Sequence, residues 1–239
     1  LLYVPKSYDP ARPAPLVISI HGFAEWPAHQ RDISGWNRLA DQHGFIVVYP
    51  CGNGFFPMYW LTLKNTQDVM LEVQFLSDLI DTLQGQYNID PARIYANGLS
   101  NGGGMSFLLA CKLSARIAAI GGVAGAYLTP WSECTQDRPV PVIAFHGTAD
   151  PIVPYTGGPS HSFDVPFPNI ADWAAELARR YGCDPVAIQL PPVAEVSGIQ
   201  YSQGTQNAEV VLYTLEGGGH SWPGGTPLPK FIVGNTSQS

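Results

Sequence analysis

A serine hydroxyl that could be acylated stands at Ser100, in the sequence GLSNG at 98–102. The pattern G-x-S-x-G is typical of a nucleophile elbow, a sharp turn from a strand into a helix that holds the serine in a strained backbone conformation. Glycines at both ends of the pattern leave room for such a turn because they carry no side chain. The pattern also fits a serine that only caps a helix, so the prediction of a nucleophile depends on partners elsewhere in the chain.

A serine becomes a nucleophile when a histidine takes its proton, and that histidine is usually oriented by a carboxylate. When the serine sits on an elbow, the acid and then the histidine follow it in the chain. His220 lies in GGGHSWPGG, directly after the last predicted strand, and we predict that it is the base. His161, which also follows Ser100, lies in the middle of a loop with no strand to aim it.

The candidate acid is Asp150, which ends the sequence VIAFHGTAD a few residues beyond a predicted strand. The alternative for Asp150 is a loop aspartate that makes an Asx turn. Asp137 precedes the same strand and should lie at the opposite edge of the sheet. The remaining candidates fall in a loop, within a helix and after a helix: Asp164, Asp172 and Asp184.

An acyl-transfer site also needs backbone N–H groups that bind the oxyanion. The residue after the nucleophile supplies one of them, here Asn101, and the turn after an early strand supplies the other, which we assign to Phe23 in HGFAE. His21 and His146 each precede a glycine at a strand end. We interpret both as structural residues that bind loop backbone groups near the site.

The elements that must position these residues alternate along the chain. Short apolar runs predict buried strands: PLVISIHG, GFIVVYP, ARIYANG, IAAIGGVAG, VPVIAFHG and EVVLYTLEGGGH. Between them, apolar residues recur at helical spacing at 69–83 and after Ser100, and NIADWAAELARRYG predicts a helix capped by Asn169. Such alternation predicts one α/β domain over 1–239, with a mostly parallel sheet and helices on both faces. Ligands of these sheets bind beyond the carboxyl ends of the strands.

The composition excludes several other classes of protein. Only 13% of residues are charged, the net charge is −7 and there is no basic run, so we expect no nucleic acid partner. No apolar stretch reaches the ~20 residues of a membrane helix, so we expect no membrane partner. The chain starts without Met and without a signal peptide, and we expect it to be a domain excised from a longer precursor.

Four cysteines are present, and none forms a C-x-x-C pair, so no zinc or other metal site is predicted. Cys111 lies late in the helix after Ser100, which runs to the far edge of the sheet, and Cys134 lies where the chain returns to that edge. We therefore predict a Cys111–Cys134 disulfide. Cys51 and Cys183 should lie at opposite edges of the sheet, too far apart to bridge.

Three tryptophans fall in loops at the predicted active edge: Trp26, Trp60 and Trp222. Exposed aromatic rings there could stack on a sugar or a phenolic ring, and ordinary loop packing is the alternative. The loops that follow the strands are rich in proline and glycine and lack the amphipathic helical period of a lipase lid. Without a buried channel, long acyl chains would gain little from burial, so we expect short-acyl or aromatic-acyl substrates.

The sequences GLSNGG, FHGTADPIVPYTGG and GGGHSWPGG occur in this order, within a likeness that runs from LLYVPKSYDP through GGGHSWPGG, nearly the whole chain. Together they resemble the polyhydroxybutyrate depolymerase-like esterases, a group that grades into the feruloyl and acetylxylan esterases of carbohydrate esterase family one. The resemblance implies a secreted serine esterase with an α/β-hydrolase fold and no cap domain. By motif, the family's nucleophile, acid and base fall on Ser100, Asp150 and His220.

The chain departs from that group in three places. The Asp-x-Gly-Phe found in many members reads Glu72-Val73-Gln74-Phe75, Cys183 lacks its usual partner near IQYSQGTQ, and no closing helix follows the histidine loop. These departures concern a second disulfide and the C-terminal packing rather than the triad.

The predicted activity is therefore that of a serine carboxylic-ester hydrolase that needs no cofactor and acts on small-molecule or polysaccharide-linked esters. A polyhydroxyalkanoate depolymerase and a peptidase are alternatives with the same chemistry. A catalytically inactive polysaccharide-binding module is the alternative from another class, and the complete triad argues against it.

Overall fold

The computed structural model describes residues 1–54, 57–62, 67–159, 165–226 and 228–237. Within these residues, nine strands form one sheet in the order β1-β3-β2-β4-β5-β6-β9-β8-β7. The strands are β1 Leu2–Tyr3, β2 Ala14–Ile20, β3 Ile46–Val48, β4 Ile89–Leu99, β5 Ala119–Val123, β6 Val142–Gly147, β7 Ile188–Val193, β8 Val196–Tyr201 and β9 Val210–Leu215.

Six strands at the centre of the sheet, from β3 to β9, run parallel to their neighbours. Antiparallel strands extend both sides, with β1 beside β3 and the β7–β8 hairpin beside β9. The mostly parallel α/β-hydrolase sheet is thus confirmed. The β7–β8 hairpin was not anticipated, because its strands mix polar residues and prolines with the apolar ones.

Helices cover both faces of the sheet, as the sequence predicts. They are α1 Pro27–Ser34, α2 Trp36–His43, α3 Gln67–Gln86, α4 Asn101–Lys112, α5 Ile170–Arg180 and α6 Lys230–Val233. Alternate residues of β2 separate the two sides: Leu16 and Ile18 belong to the main core with α3, α4 and α5, whereas Val17 packs with α2. The predicted cap of α5 is confirmed, since the Asn169 side chain accepts a hydrogen bond from the Asp172 N–H.

A disulfide joins Cys111, in the last turn of α4, to Cys134, with the two Cα atoms 4.6 Å apart. The predicted pairing is therefore confirmed. Cys51 is free and exposed, and Cys183 is free and buried. The cross-link ties the far end of α4 to the segment between β5 and β6, so it fixes the helix that Ser100 begins.

Candidate active site

Ser100 lies on the turn between β4 and α4, in a backbone conformation (φ 55°, ψ −118°) that is strained for a residue with a side chain. The flanking glycines make the turn possible. A Cβ at Gly98 would collide with the backbone of Gly102, and a Cβ at Gly102 would collide with the carbonyl oxygen of Ile20. The strand–turn–helix context predicted for the pattern is thus present, and the serine stands at the carboxyl end of a central strand.

Neighbouring backbone holds this strained residue in place. The Ser100 N–H donates to the carbonyl oxygen of Val123 (2.9 Å), at the end of β5. The Ser100 carbonyl oxygen accepts from the N–H groups of Gly104 and Ala126, each at 3.0 Å. The N-terminus of α4 also directs partial positive charge towards the turn, which favours negative charge on a bound group.

Asp150 and His220 meet at the same edge of the sheet, beyond β6 and β9. His220 Nδ1 donates to Asp150 Oδ2 at 2.8 Å, and the two residues are 6% and 5% exposed. The other carboxylate oxygen, Oδ1, accepts from the N–H groups of Ile152 and Val153, both at 2.8 Å. The hydrogen bond to Asp150 assigns the proton to Nδ1, so Nε2 of His220 is free to accept a proton.

The pKa of Asp150 reflects two opposing causes. Burial alone would raise the pKa of the carboxyl group, but the hydrogen bonds from His146 and His220 outweigh that cost and lower it well below its usual range. Asp150 is therefore ionised at neutral pH.

His146 was interpreted from the sequence as a structural residue that binds loop backbone, and the structure adds a second contact. Its ring is buried, and Nε2 lies 2.9 Å from the carbonyl oxygen of Val153. The same nitrogen lies 3.4 Å from Asp150 Oδ2, the oxygen that His220 binds. Because both neighbours are acceptors, Nε2 carries the ring proton. The signal in the sequence was a histidine four residues before the acid, at the end of the same strand.

The loop that carries His220 is held by the last residue of α6 and by the segment that follows it. The His220 N–H donates to the carbonyl oxygen of Val233, and the Gly219 N–H donates to that of Asn235 (2.7 Å). A Cβ at Gly219 would collide with the Val233 carbonyl oxygen, so the glycine permits this close approach. Packing thus requires a glycine at 219, directly before His220, whereas Gly217 adopts a positive φ of 68° that favours glycine.

The two predicted oxyanion donors lie on the turn after β2 and at the start of α4. The N–H of Phe23 has no acceptor within the part of the chain that the structure describes, and the first N–H groups of a helix such as α4 have none within the helix. His21 is structural as predicted: it is buried, Nε2 accepts from the Gly52 N–H (3.0 Å), and Nδ1 lies 2.8 Å from the Gly22 carbonyl oxygen. Burial lowers the pKa of His21.

The three loop tryptophans have different environments. Trp26 is exposed, as predicted. Trp60 contradicts the prediction of a substrate-stacking ring, because only 2% of it is exposed and it belongs to the main core. Trp222 is half-buried and packs against a small apolar cluster that includes Leu99 and Val123.

The competing acids and base do not form a second triad among the described residues. His161 and Asp164 lie outside the described residues. Asp137, Asp172 and Asp184 are described, and none of them contacts a histidine, whereas Asp150 contacts two. In the described ranges there is also no group of three or more residues that could hold a metal ion, and no helix is long and apolar enough to cross a membrane.

Comparisons with known proteins identify the family of this chain. The sequence signature of the phospholipase/carboxylesterase family matches residues 54–162. A relative from Nocardia uniformis subsp. tsuyamanensis that is named as an esterase, NocK, is 31% identical over 94% of this chain and 70% of its own length. The chain belongs to this esterase family. As a member, the protein is a serine carboxylic-ester hydrolase, and the resemblance read from its motifs is confirmed.

One further relative and one solved structure of similar fold are also named as esterases. Feruloyl esterase B of Piromyces equi is 30% identical over 91% of this chain, which spans 41% of that protein. The solved structure of the acetyl xylan esterase from Aspergillus awamori superposes with a TM-score of 0.68, over 92% of this chain and 88% of that one. Its sequence identity is 16%, so this second likeness concerns the fold alone.

Proposed function

We propose that Ser100, His220 and Asp150 form the catalytic triad of this esterase. The observation that supports the proposal best is the buried 2.8 Å hydrogen bond between His220 and Asp150. Their loops follow β6 and β9, and Ser100 follows β4, so all three residues stand at the edge where the parallel strands end.

In this mechanism, His220 Nε2 accepts the Ser100 hydroxyl proton while Oγ attacks the ester carbonyl carbon. The N–H groups of Phe23 and Asn101 bind the resulting oxyanion. The protonated imidazole then gives its proton to the leaving alcohol, and an acyl-enzyme remains. Water, activated by the same nitrogen, releases the acid. Asp150 keeps the histidine in its Nδ1–H tautomer and stabilises the imidazolium.

Replacing the nucleophile tests the triad, and Ser106 provides a matched control. Ser100→Ala should lower kcat about a thousandfold or more and abolish labelling by a fluorophosphonate probe. Ser106→Ala removes a buried hydroxyl in α4, the helix that follows Ser100, and its Oγ donates to the Gly102 carbonyl oxygen (2.9 Å). This control should lose some stability but keep its kcat and its labelling. A Ser100→Ala enzyme that retains a tenth of the wild-type kcat would show that the nucleophile lies elsewhere.

We propose substrates with a short or aromatic acyl group, reached through an open cleft. The described parts of the segments between β5 and β6, between β6 and α5, and after β9 contain a single 3-10 turn and the four-residue helix α6, which is too little for a lipase-type lid. Exposed rings of Phe23 and Trp26 stand beside the turn that carries the first oxyanion donor, where they can contact a phenolic ring or a sugar. Relatives named feruloyl and acetylxylan esterase support this substrate class.

The test of substrate class is kcat/KM along p-nitrophenyl esters from two to sixteen carbons, together with methyl ferulate and a hydroxybutyrate oligomer. We expect a maximum between acetyl and butyryl, since each further methylene that stays in water forgoes the ~0.8 kcal/mol that burial would give. A maximum at twelve carbons or more would require a long apolar channel and would contradict the proposal of an open cleft for short acyl groups. Preference for the hydroxybutyrate oligomer would instead favour the depolymerase alternative.

We also propose that the enzyme works outside the cytosol. The Cys111–Cys134 disulfide supports this, because structural disulfides persist in oxidising compartments and are rare where thiols are kept reduced. Expression of the same sequence in a reducing and in an oxidising compartment, followed by thiol counting, tests it. The proposal fails if the protein made in the reducing compartment is equally stable.

A further inference from the structure

Trp60 contacts both chain segments that carry the proposed oxyanion donors. Its indole N–H donates to the carbonyl oxygen of His21 (3.1 Å), two residues before Phe23. Its backbone N–H donates to Asn101 Oδ1 (2.6 Å), and its carbonyl oxygen accepts from Asn101 Nδ2 (3.0 Å). The Asn101 side chain therefore binds Trp60 through both amide atoms, while the Asn101 backbone begins α4.

The surroundings of Trp60 make this link rigid. The His21 ring packs at 5.3 Å from the Trp60 ring, and its Nε2 accepts from the Gly52 N–H. The Ala24 N–H, next to Phe23, donates to the carbonyl oxygen of Met58 (2.8 Å). The turn after β2 is thus joined on both sides of Phe23 to the short segment that carries Trp60.

We propose that Trp60 and the Asn101 side chain form a clamp that sets the distance between the N–H groups of Phe23 and Asn101. The inference rests on the oxyanion assignment of the proposed function. Both are positioning residues here, because Trp60 is buried and the Asn101 side chain binds Trp60 through both its oxygen and its nitrogen. Oxyanion donors act only within a narrow range, about 2.7–3.1 Å from the developing charge, so a small displacement of either segment matters.

A matched pair of tryptophans separates positioning from stability. Trp60→Phe keeps an aromatic ring but removes the N–H that binds His21. Trp36→Phe removes an indole N–H that donates at the same length, 3.1 Å, to Asn97 Oδ1 in β4, an oxygen that also accepts from the Ser19 hydroxyl but has no hydrogen bond to Trp60, Phe23 or Asn101. We expect similar losses of stability in the two variants. Only Trp60→Phe should lower kcat, about tenfold, with KM within twofold of the wild type.

The Asn101 side chain gives a second and stronger perturbation. Asn101→Ala keeps the backbone N–H donor but removes both hydrogen bonds to Trp60, and kcat should fall by about a hundredfold. The pH dependence of kcat/KM should not move in either variant, because neither residue contacts Asp150 or His220. The affinity for a boronic acid, whose serine adduct places an oxygen in the oxyanion position, should fall in parallel with kcat/KM.

The outcomes distinguish this inference from the triad assignment. If Ser100→Ala stays active, the proposed function itself fails. If Ser100→Ala is inactive while Trp60→Phe and Asn101→Ala both keep kcat within twofold of the wild type, the triad stands and the clamp is refuted. Equal kcat losses in Trp60→Phe and Trp36→Phe would assign the effect to general destabilisation and would also refute the clamp.

Discussion

Reduction of the Cys111–Cys134 disulfide should destabilise the fold by an amount that follows from the loop it closes. The two cysteines are 23 residues apart in sequence, and the loop contains strand β5. The chain-entropy relation for a loop of that length gives about 3.4 kcal/mol at 25 °C. For a protein of this size, each kcal/mol corresponds to roughly 2–4 °C, so the melting temperature should fall by about 7–14 °C.

Guanidinium denaturation of the wild type with and without reductant measures this difference without changing any side chain. The Cys111→Ala/Cys134→Ala variant should match the reduced wild type to within the small cost of removing a buried sulfur. Cys51→Ala is the control for the exposed free thiol. Its free energy of unfolding should equal that of the wild type both with and without reductant. Because the cross-link lies at the far end of α4, kcat at 25 °C should stay the same while the protein remains folded. A stability difference below about 1 kcal/mol would refute the loop argument.

Two further predictions concern buried titratable groups. His146→Gln should keep most of the wild-type kcat, because its amide N–H can replace the Nε2 donor. His146→Leu should lower kcat about tenfold, because Asp150 loses a hydrogen-bond donor. Equal kcat values in the two variants would contradict this prediction. Burial raises the pKa of Glu72, so the folded protein favours the protonated carboxyl group. This contribution to the free energy of unfolding is complete below the unfolded pKa of about 4.3 and is lost as the pH rises through the folded pKa. Glu72→Gln should therefore raise the melting temperature at pH 8 and change it little at pH 4, and a larger gain at pH 4 would reverse the sign of this reasoning.

The sequence predicted those parts of the site that depend on chain order and strand ends. Ser100, Asp150 and His220 each follow a run of apolar residues that could only be a buried strand, and parallel strands bring their carboxyl ends to one edge. The disulfide followed from the same topology, since it required only the direction of α4 and the return path of the chain. Nothing finer than the order of the elements was needed.

The features that the sequence did not predict depend on the path of loops and on short distances between side chains. Trp60 lies in a proline- and glycine-rich stretch whose composition indicates a surface loop, yet hydrogen bonds to Asn101 and His21 draw it inside. The contact of His146 with Asp150 needs the tight turn at 150–153, which the two backbone donors to Oδ1 create. The β7–β8 hairpin has too little apolar alternation to be distinguished from loop.

The hydrogen bonds from the His220 loop to Val233 and Asn235 have a consequence for the order in which the site can form during synthesis. During synthesis the N-terminal part of the chain leaves the ribosome first, so the segments that carry Ser100 and Asp150 emerge while residue 233 is still enclosed. His220 acquires its backbone partner only after residue 233 has emerged, 13 residues later by its hydrogen bond. A nascent chain in which residue 233 has not yet emerged should therefore contain the proposed nucleophile, Ser100, while the proposed base, His220, still lacks this backbone partner. Hydrolytic activity would then begin only once this late segment is free to pack.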